Sequence, residues 1–535
     1  MKLVHLCPVK LGVFSLKANV GAAKRPILFG ADLNSKYIQI CCIALGGLFL
    51  LWPAFYNGYP LAYSDSHVFI SQPVAGFMNW DKPFVYGPLI LLFHAWQTLW
   101  LVIAAQALLV SHLLWLVVVA LTPEQTPVVA ADSHVTVAPT AFWQVGKRHL
   151  LTCAALALVS AAPWFVSFLM PDIFAAMTVL CIFLLGFSTR LKRSEVVWLI
   201  LLGAVAIAVH LSHLVIAAAC LVGVLCLGVR RLKIAVLPMI FAIVILLGTN
   251  FYAFQKAAIS PHGSVFMLAR LSGDGNTKEV LEKYCAQKNW YLCAWVDRLP
   301  KDSDDFLWNG QGPVWSHPGG PIGLAPEASE IVSYVLRTRP WPVMLSGLKN
   351  MTEQLWMIEL GDTLHPDHLD VTVAKSVRQY FSAKELEQFN GSRQMKDTLA
   401  ADAVWFSRVS VLTFYCSVLF GFYILWCAWR KSSAGIDDRQ NRVALGAETA
   451  NAELDRQKTH LAPNRQHTKV VISFILVLWL GVAANAFATG ALSKPHHRYQ
   501  ARIAWVLVLP PLILWRRHAL YQQLNVGQTG VHQRA

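Results

Sequence analysis

The chain has 535 residues, 56% of them hydrophobic and only 14% charged, with a mean hydropathy of +0.47. A soluble globular domain is about a quarter charged, so this composition excludes an ordinary soluble enzyme. The formal net charge is +15, but the surplus cations lie in short segments between apolar runs; that is the positive-inside bias of a membrane protein and excludes a nucleic-acid-binding face.

Residues 1–36 hold Lys2, Lys10, Lys17, Lys24, Arg25 and Lys36 ahead of any long apolar run. That is not the layout of a cleavable signal peptide, and a cytoplasmic basic tail is expected. A first helix over 37–57 then runs outward, since about 20 apolar residues cross a hydrocarbon core of about 30 Å. The following 58–83 loop is external and carries Tyr63-Ser64-Asp65-Ser66-His67 and Asp81-Lys82-Pro83. Residues 84–121 are too long for one crossing, so a short interfacial helix is expected before a span near 99–121. The Pro-, Thr- and Ala-rich 122–148 segment ends in Lys147-Arg148 and reads as an inner loop.

Spans follow at 150–169 and 173–189, with Met170-Pro171-Asp172 at the outer surface between them. Two more, 195–211 and 214–229, flank the turn His210-Leu211-Ser212-His213, and 234–250 goes out again. Residues 251–403 are of ordinary polarity, with 15 Lys+Arg and 18 Asp+Glu. Amphipathic stretches near 277–289, 327–338 and 343–358, with helix starts at Pro326 and Pro342, predict a small, mostly helical core there. Its 299–325 stretch, rich in Gly, Pro and Trp, reads as loop. Cys285 and Cys293 share this polar insertion and can pair if it faces an oxidising compartment, whereas Cys7 lies in the N-terminal tail and the other cysteines lie in apolar segments.

The chain returns at 404–428, passes a charged 429–468 stretch expected to be disordered, goes out at 470–491 and comes back at 503–515. The expected fold is therefore an all-α polytopic membrane protein of about ten transmembrane helices. Its parts are a cytoplasmic tail 1–36, a membrane body 37–250 of about seven spans, a non-cytoplasmic insertion 251–403, C-terminal spans 404–515 and a cytoplasmic tail 516–535. The inner segments hold 25 Lys+Arg; outside the insertion the outer loops hold only Lys82, Lys494, Arg498 and Arg502, with Arg408 at an outer helix end.

Three constellations carry chemistry. Asp65 and Asp172 are carboxylates set against apolar surface on one face of the membrane, costly unless solvated or paired. Each also stands where an N-cap would, so capping and function both remain open. The turn Lys494-Pro495-His496-His497-Arg498-Tyr499-Gln500-Ala501-Arg502 gathers cations and histidines on the outer side, where orientation gains nothing from them. Arg498 and Arg502, four apart, can clamp a phosphate; lipid head groups are the other ligand such a turn would attract. His210 and His213 read first as hydrogen-bonded structural residues, although their i, i+3 spacing would also allow metal ligation. Trp80, Trp96 and Trp100 are suited either to an interfacial belt or to a sugar site.

The outward first helix, the acidic residue in the first outer loop, the second outer acidic residue and the large outer insertion resemble the GT-C superfamily of membrane glycosyltransferases. The resemblance covers 37–250 and 404–515 and is architectural. It implies a sugar donor carried on a polyprenyl phosphate and transfer on the non-cytoplasmic face. Asp65 would then deprotonate or orient the acceptor and Asp172 would assist the acceptor or a metal. Arg498 and Arg502, with Lys494, His496, His497 and Tyr499 around them, would hold the leaving phosphate. Many members carry paired acidic residues in the first loop, whereas here Ser64 and Ser66 flank Asp65, so no cofactor is expected and a divalent metal is allowed but not predicted. The expected setting is the inner (plasma) membrane with both termini cytoplasmic, and the expected partners are the lipid-linked donor and membrane lipids but no nucleic acid. The rival readings are a flippase or transporter for an anionic lipid-linked substrate, an acyltransferase using His210 or His213, and an assembly protein using the insertion.

Overall fold

The computed structural model describes residues 33–122, 139–228, 231–444 and 451–514. The basic N-terminal tail, most of the 122–148 loop and the C-terminal tail lie outside the described residues. Every regular element among the described residues is helical.

The first part comprises α1 (Leu33–Phe49), α2 (Trp52–Asn57), α3 (Ser66–Ala75), α4 (Tyr86–His94), α5 (Trp100–Leu121), α6 (Pro139–Val159), α7 (Ala162–Ser167) and α8 (Ile173–Phe187). Next come α9 (Arg193–Ala208), α10 (Ser212–Cys226), α11 (Leu232–Ala235) and α12 (Leu237–Phe254). The insertion holds α13 (Gly263–Gly273), α14 (Lys278–Lys288), α15 (Ser303–Trp308), α16 (Gly320–Thr338), α17 (Pro340–Trp356), α18 (Val373–Tyr380) and α19 (Ala383–Asn390). Last are α20 (Leu399–Ala444), α21 (Asn451–Ala486) and α22 (His497–Ala504).

Four helical segments are long and apolar enough to cross a membrane: Trp100–Leu121, Leu232–Phe254, Leu399–Arg430 and His467–Ala491. Lys36–Phe49, Ile173–Phe187 and Ser212–Cys226 are apolar but shorter. Every side chain of α8 is buried inside the protein, as expected for a helix that is apolar all round. By contrast the 399–430 and 232–254 segments are mostly uncovered.

Several expectations fail. The 299–325 stretch, expected to be loop, holds α15 and the first turns of α16. The 429–468 stretch, expected to be disordered, is helical over 429–444 and 451–468; its Ala, Arg, Gln, Glu and Lys are strong helix formers. Pro326 does not start a helix but lies inside α16, which begins at Gly320 with Pro321 in its first turn.

The insertion divides in two. Residues such as Leu268, Leu281, Trp290, Phe306, Leu324 and Ile331 form a separate small core, beside which Cys285 and Cys293 are disulfide-bonded. Ile358, Leu369, Val377, Phe389 and Leu399 instead join the main core. This second half grips the first loop. Gln394 accepts from the Ala62 N–H at 3.0 Å and donates to its carbonyl at 2.7 Å. Buried Glu385 accepts from the Tyr59 hydroxyl at 2.8 Å, the Thr98 hydroxyl at 3.0 Å and the Leu99 N–H at 2.9 Å. Replacing Glu385 by Ala leaves these donors without an acceptor, so a loss of about 1–3 kcal/mol is expected, more if several stay unsatisfied. Thermal unfolding of the detergent-solubilised protein measures it, and an unchanged midpoint would show the carboxylate to be dispensable.

A short parallel bridge completes the frame. The Leu61 N–H donates to Ser167 O at 2.9 Å and the Leu169 N–H to Leu61 O at 2.8 Å, pairing Leu61 with Phe168. Asp65 follows Leu61 by four residues and Asp172 follows Phe168 by four, so the bridge brings the two carboxylate-bearing turns together.

Candidate functional site

Both aspartates stand just before a helix, and neither caps it. Asp65 precedes α3 with φ −62° and ψ −22°, and Asp172 precedes α8 with φ −57° and ψ −40°. A capping residue adopts extended dihedrals that turn its side chain back onto the first amides. These residues are already helical, and neither side chain takes a capping bond. The capping alternative is thereby removed for both.

Their carboxylates reach cations instead. Lys82 Nζ lies 3.2 Å from Asp65 Oδ1 and 2.5 Å from Asp81 Oδ2. Asp172 Oδ1 lies 3.3 Å from Arg502 Nη1 and 3.9 Å from Arg498 Nε. The spacing of four on α22 puts both guanidiniums on one helix face. Arg502 is wholly buried; its Nη2 donates to Ser212 Oγ at 2.8 Å and to Asn485 Oδ1 at 3.1 Å. Ser212 shares a hydrogen bond of 2.8 Å with His210 Nδ1. Arg498 lies over the Tyr63 ring at 4.3 Å and the Tyr499 ring at 5.0 Å, and its backbone N–H donates to exposed Asp362 at 2.9 Å. Arg498 Nη1 and Arg502 Nε are buried with no hydrogen-bond partner.

Electrostatics join the two halves. Burial works against the charge of Asp65, but Lys82 and then Arg498 outweigh it, and its pKa lies below the usual carboxylate value. Burial likewise opposes the charge of Lys82, and Asp65 and Asp81 more than reverse it, so its pKa is raised. Asp65, Asp172 and the Arg498/Arg502 pair, three distant places in the chain, thus belong to one cluster with unbalanced ends. Near Lys82 there are two carboxylates for one ammonium; near Asp172 there are two guanidiniums for one carboxylate.

The rest of the cationic turn goes elsewhere. Lys494 Nζ binds Asp302 at 2.7 Å and Asp304 at 2.8 Å, and His496 Nε2 lies 3.3 Å from Asp304. Gln354 of α17 donates to the His496 carbonyl at 2.8 Å and accepts from its N–H at 3.0 Å. That needs close packing: a Cβ at Gly490 would lie 2.5 Å from the Asn350 carbonyl oxygen. His497 Nδ1 accepts from the Glu359 N–H at 3.2 Å. Lys494, His496 and His497 therefore fasten the insertion to the start of α22, while Arg498, Tyr499 and Arg502 face the cluster. His213 Nδ1 bonds the Ala206 carbonyl at 2.6 Å, a structural use. Among the described residues no three His, Cys, Asp or Glu side chains gather at metal-ligand spacing.

The fastening has a pH signature. Burial raises the Asp304 pKa, but bonds from His496 and Lys494 outweigh it and hold the pKa at about 2. A depressed carboxylate stabilises above its unfolded pKa of about 3.9 and loses that contribution as pH falls towards 2. Hydrogen exchange of α15 is therefore expected to stay slow from about pH 8 to 5, and Lys494→Ala to accelerate it; equal exchange in the variant would deny the fastening.

The sequence singled out neither Lys82 nor Asn485. A signal for Lys82 existed, as a lone cation next to Asp81 and away from the basic clusters; Asn485 inside an apolar helix carried none.

No family of proteins, no curated protein and no solved structure matches this chain. Its chemistry has to be argued from the cluster itself.

Proposed function

We propose that the chain is a membrane glycosyltransferase moving a sugar from a polyprenyl-phosphate donor to a hydroxyl-bearing acceptor. In this reading about ten helical segments cross the inner membrane, both termini are cytoplasmic, and the end bearing the insertion faces outward. The observation that carries it is a cluster, buried at Asp172 and Arg502 and partly open at Asp65, with a surplus of guanidinium at one end and of carboxylate at the other. The resemblance to the GT-C superfamily points the same way.

The donor phosphate fits the arginine end. Arg498 Nη1 and Arg502 Nε are buried donors without partners, and such groups bind phosphate oxygens strongly. In the transfer, the acceptor oxygen bonds to the anomeric carbon as the bond from that carbon to the phosphate oxygen breaks. The electron pair leaves with the polyprenyl phosphate, whose growing charge the fixed guanidiniums stabilise. The acceptor proton passes to Asp65. Its lowered pKa makes Asp65 a weak base, suited to orienting the hydroxyl and taking the proton late, once bonding to carbon has acidified it.

The test is transfer by purified protein from a panel of polyprenyl-monophosphate sugars. Sugar-dependent formation of glycosylated acceptor and free polyprenyl phosphate is expected. No transfer, combined with movement of the intact donor across liposomes, would replace the reading with a flippase.

A further inference from the structure

The helix α17 of the insertion is turned inside out. A helix on a water-soluble protein buries its apolar stripe and leaves its polar face to water. In the same insertion α14 obeys this: it buries Val280 and Leu281 and exposes Lys278 and Glu282. In α17 the pattern is reversed. Of its 17 residues only Asn350 and Gln354 are buried. Its inward row is polar: Asn276 donates to Ser346 Oγ at 3.2 Å, Asn350 donates to Asp274 at 3.1 Å, and Gln354 is bonded both ways to the His496 backbone. The outward row of Trp341, Met344, Leu345, Leu348 and Trp356 is apolar and exposed, Trp341 by 69% and Leu345 by 62%. Thr352 stands in that row, and its hydroxyl bonds the Leu348 carbonyl at 2.8 Å, which satisfies it without water.

An exposed apolar face of this extent marks an interaction site, and its neighbours say with what. The middle of α17 lies against the insertion-side end of the segment His467–Ala491, where a Cβ on Gly347 would stand 3.5 Å from Ala491. Its last residue, Trp356, stacks on Tyr415 of the segment Leu399–Arg430, with ring centroids 5.8 Å apart. Depth along that segment can be read from its charges. Arg408 and Arg430 are exposed, and residues 409–429 between them carry no charged side chain. That stretch matches the roughly 20 residues needed to cross a hydrocarbon core of about 30 Å. Tyr415 is seven residues inside Arg408, about 10 Å at 1.5 Å per residue. Trp356 is therefore level with acyl chains rather than with water, and the apolar row runs from it to Trp341 along one helix.

We propose that α17 is embedded by its outward face in the lipid leaflet on the insertion's side, with the bilayer itself as the partner. A protein partner fits less well, because it would have to cover a face whose end lies within the hydrocarbon region. The indoles at the two ends of the row suit the interface, where Trp is enriched. An amphipathic helix so placed sinks its apolar face about 5–10 Å into the boundary between head groups and acyl chains. The inference needs only that the apolar segments cross a membrane, and it stands whether or not the chain transfers sugar. It also sets a height. Gln354 holds His496, the residue before α22, so α22 begins at the level of the leaflet in which α17 lies.

The test is photo-crosslinking of the full-length protein in phosphatidylcholine nanodiscs. A benzophenone amino acid replaces Leu345 or, as the water-facing control, Glu282. Intact-mass measurement is expected to show a phospholipid adduct from position 345 and none from position 282. A chain-to-chain adduct from position 345 would overturn the proposal in favour of a second copy. No adduct from position 345, or equal adducts from both positions, would overturn it in favour of water. Leu345→Glu with Leu348→Glu gives an independent readout. On a water-facing surface such changes are nearly neutral, whereas in lipid they place two carboxylates among acyl chains. A fall in the thermal midpoint of about 4 °C or more in nanodiscs is expected, and an unchanged midpoint would also overturn the proposal.

Discussion

Asp65→Asn is expected to lower sugar transfer by about 10²–10⁴-fold, the usual worth of a positioned proton acceptor, with donor binding unchanged. The substitution keeps the shape and leaves Lys82 its second carboxylate, Asp81, at 2.5 Å, so the fold, Arg498 and Arg502 should be undisturbed. Single-turnover transfer and donor titration separate the two readouts. Equal transfer by both proteins would keep the enzyme and take the proton from Asp65. The pH profile is a second check. The carboxylate's pKa is depressed by Lys82 and Arg498, so Asp65 is charged at and above the ordinary carboxylate range and loses its proton-accepting form only as pH falls below it. Transfer should therefore show no acid limb between about pH 5 and 8 from this group. An acid limb near neutrality, removed by the Asn variant, would contradict that assignment.

Arg502→Ala is expected to be the most destabilising single change in the cluster, about 3–5 kcal/mol, because it leaves one buried carboxylate short of its closest cation. Asp172 would retain Arg498 at 3.9 Å but lose Arg502 at 3.3 Å. Ser212 and Asn485 would lose the donor they share. Neutralising both members should be milder than either single change predicts. Asp172→Asn with Arg502→Leu is therefore expected to recover part of the thermal midpoint lost by Arg502→Ala. Strict additivity would mean that the ion pair contributes nothing beyond its separate side chains. The double variant should still fail to bind the lipid-phosphate donor, since a donor to phosphate oxygen is gone even where stability returns.

Much of this site could be found by reading along the chain. Asp65, Asp172, Arg498 and Arg502 each break a local rule: a charged side chain set beside long apolar runs, costly unless it is paired or solvated. Such violations are visible without coordinates. Cys285 and Cys293 were legible for the same kind of reason, as cysteines outside the apolar segments and close in sequence. What these residues bond to was not legible. A cap and an ion pair use the same aspartate at the same helix start, and the choice is made by backbone dihedrals and by a partner far along the chain. For Asp172 that partner is 330 residues away.

The cationic turn makes the same point. Its nine residues look like one anion site in sequence, yet Lys494 and His496 face Asp302 and Asp304 and only Arg498, Tyr499 and Arg502 turn to the cluster. A helix start at His497 sends neighbouring residues to different faces, and which neighbour waits on each face depends on where the insertion lands. The two halves of 251–403 look alike in polarity, but one closes its own core and the other completes the main one. Composition, apolar run length and local violations of charge placement determined that this is a helical chain with segments long and apolar enough to cross a membrane and which polar residues are costly in such surroundings, because those terms are counted residue by residue. The pairing of the costly residues, the bridge from Leu61 to Phe168 and the face that α17 turns outward were decided only by tertiary structure, because each requires groups brought together from distant parts of the chain.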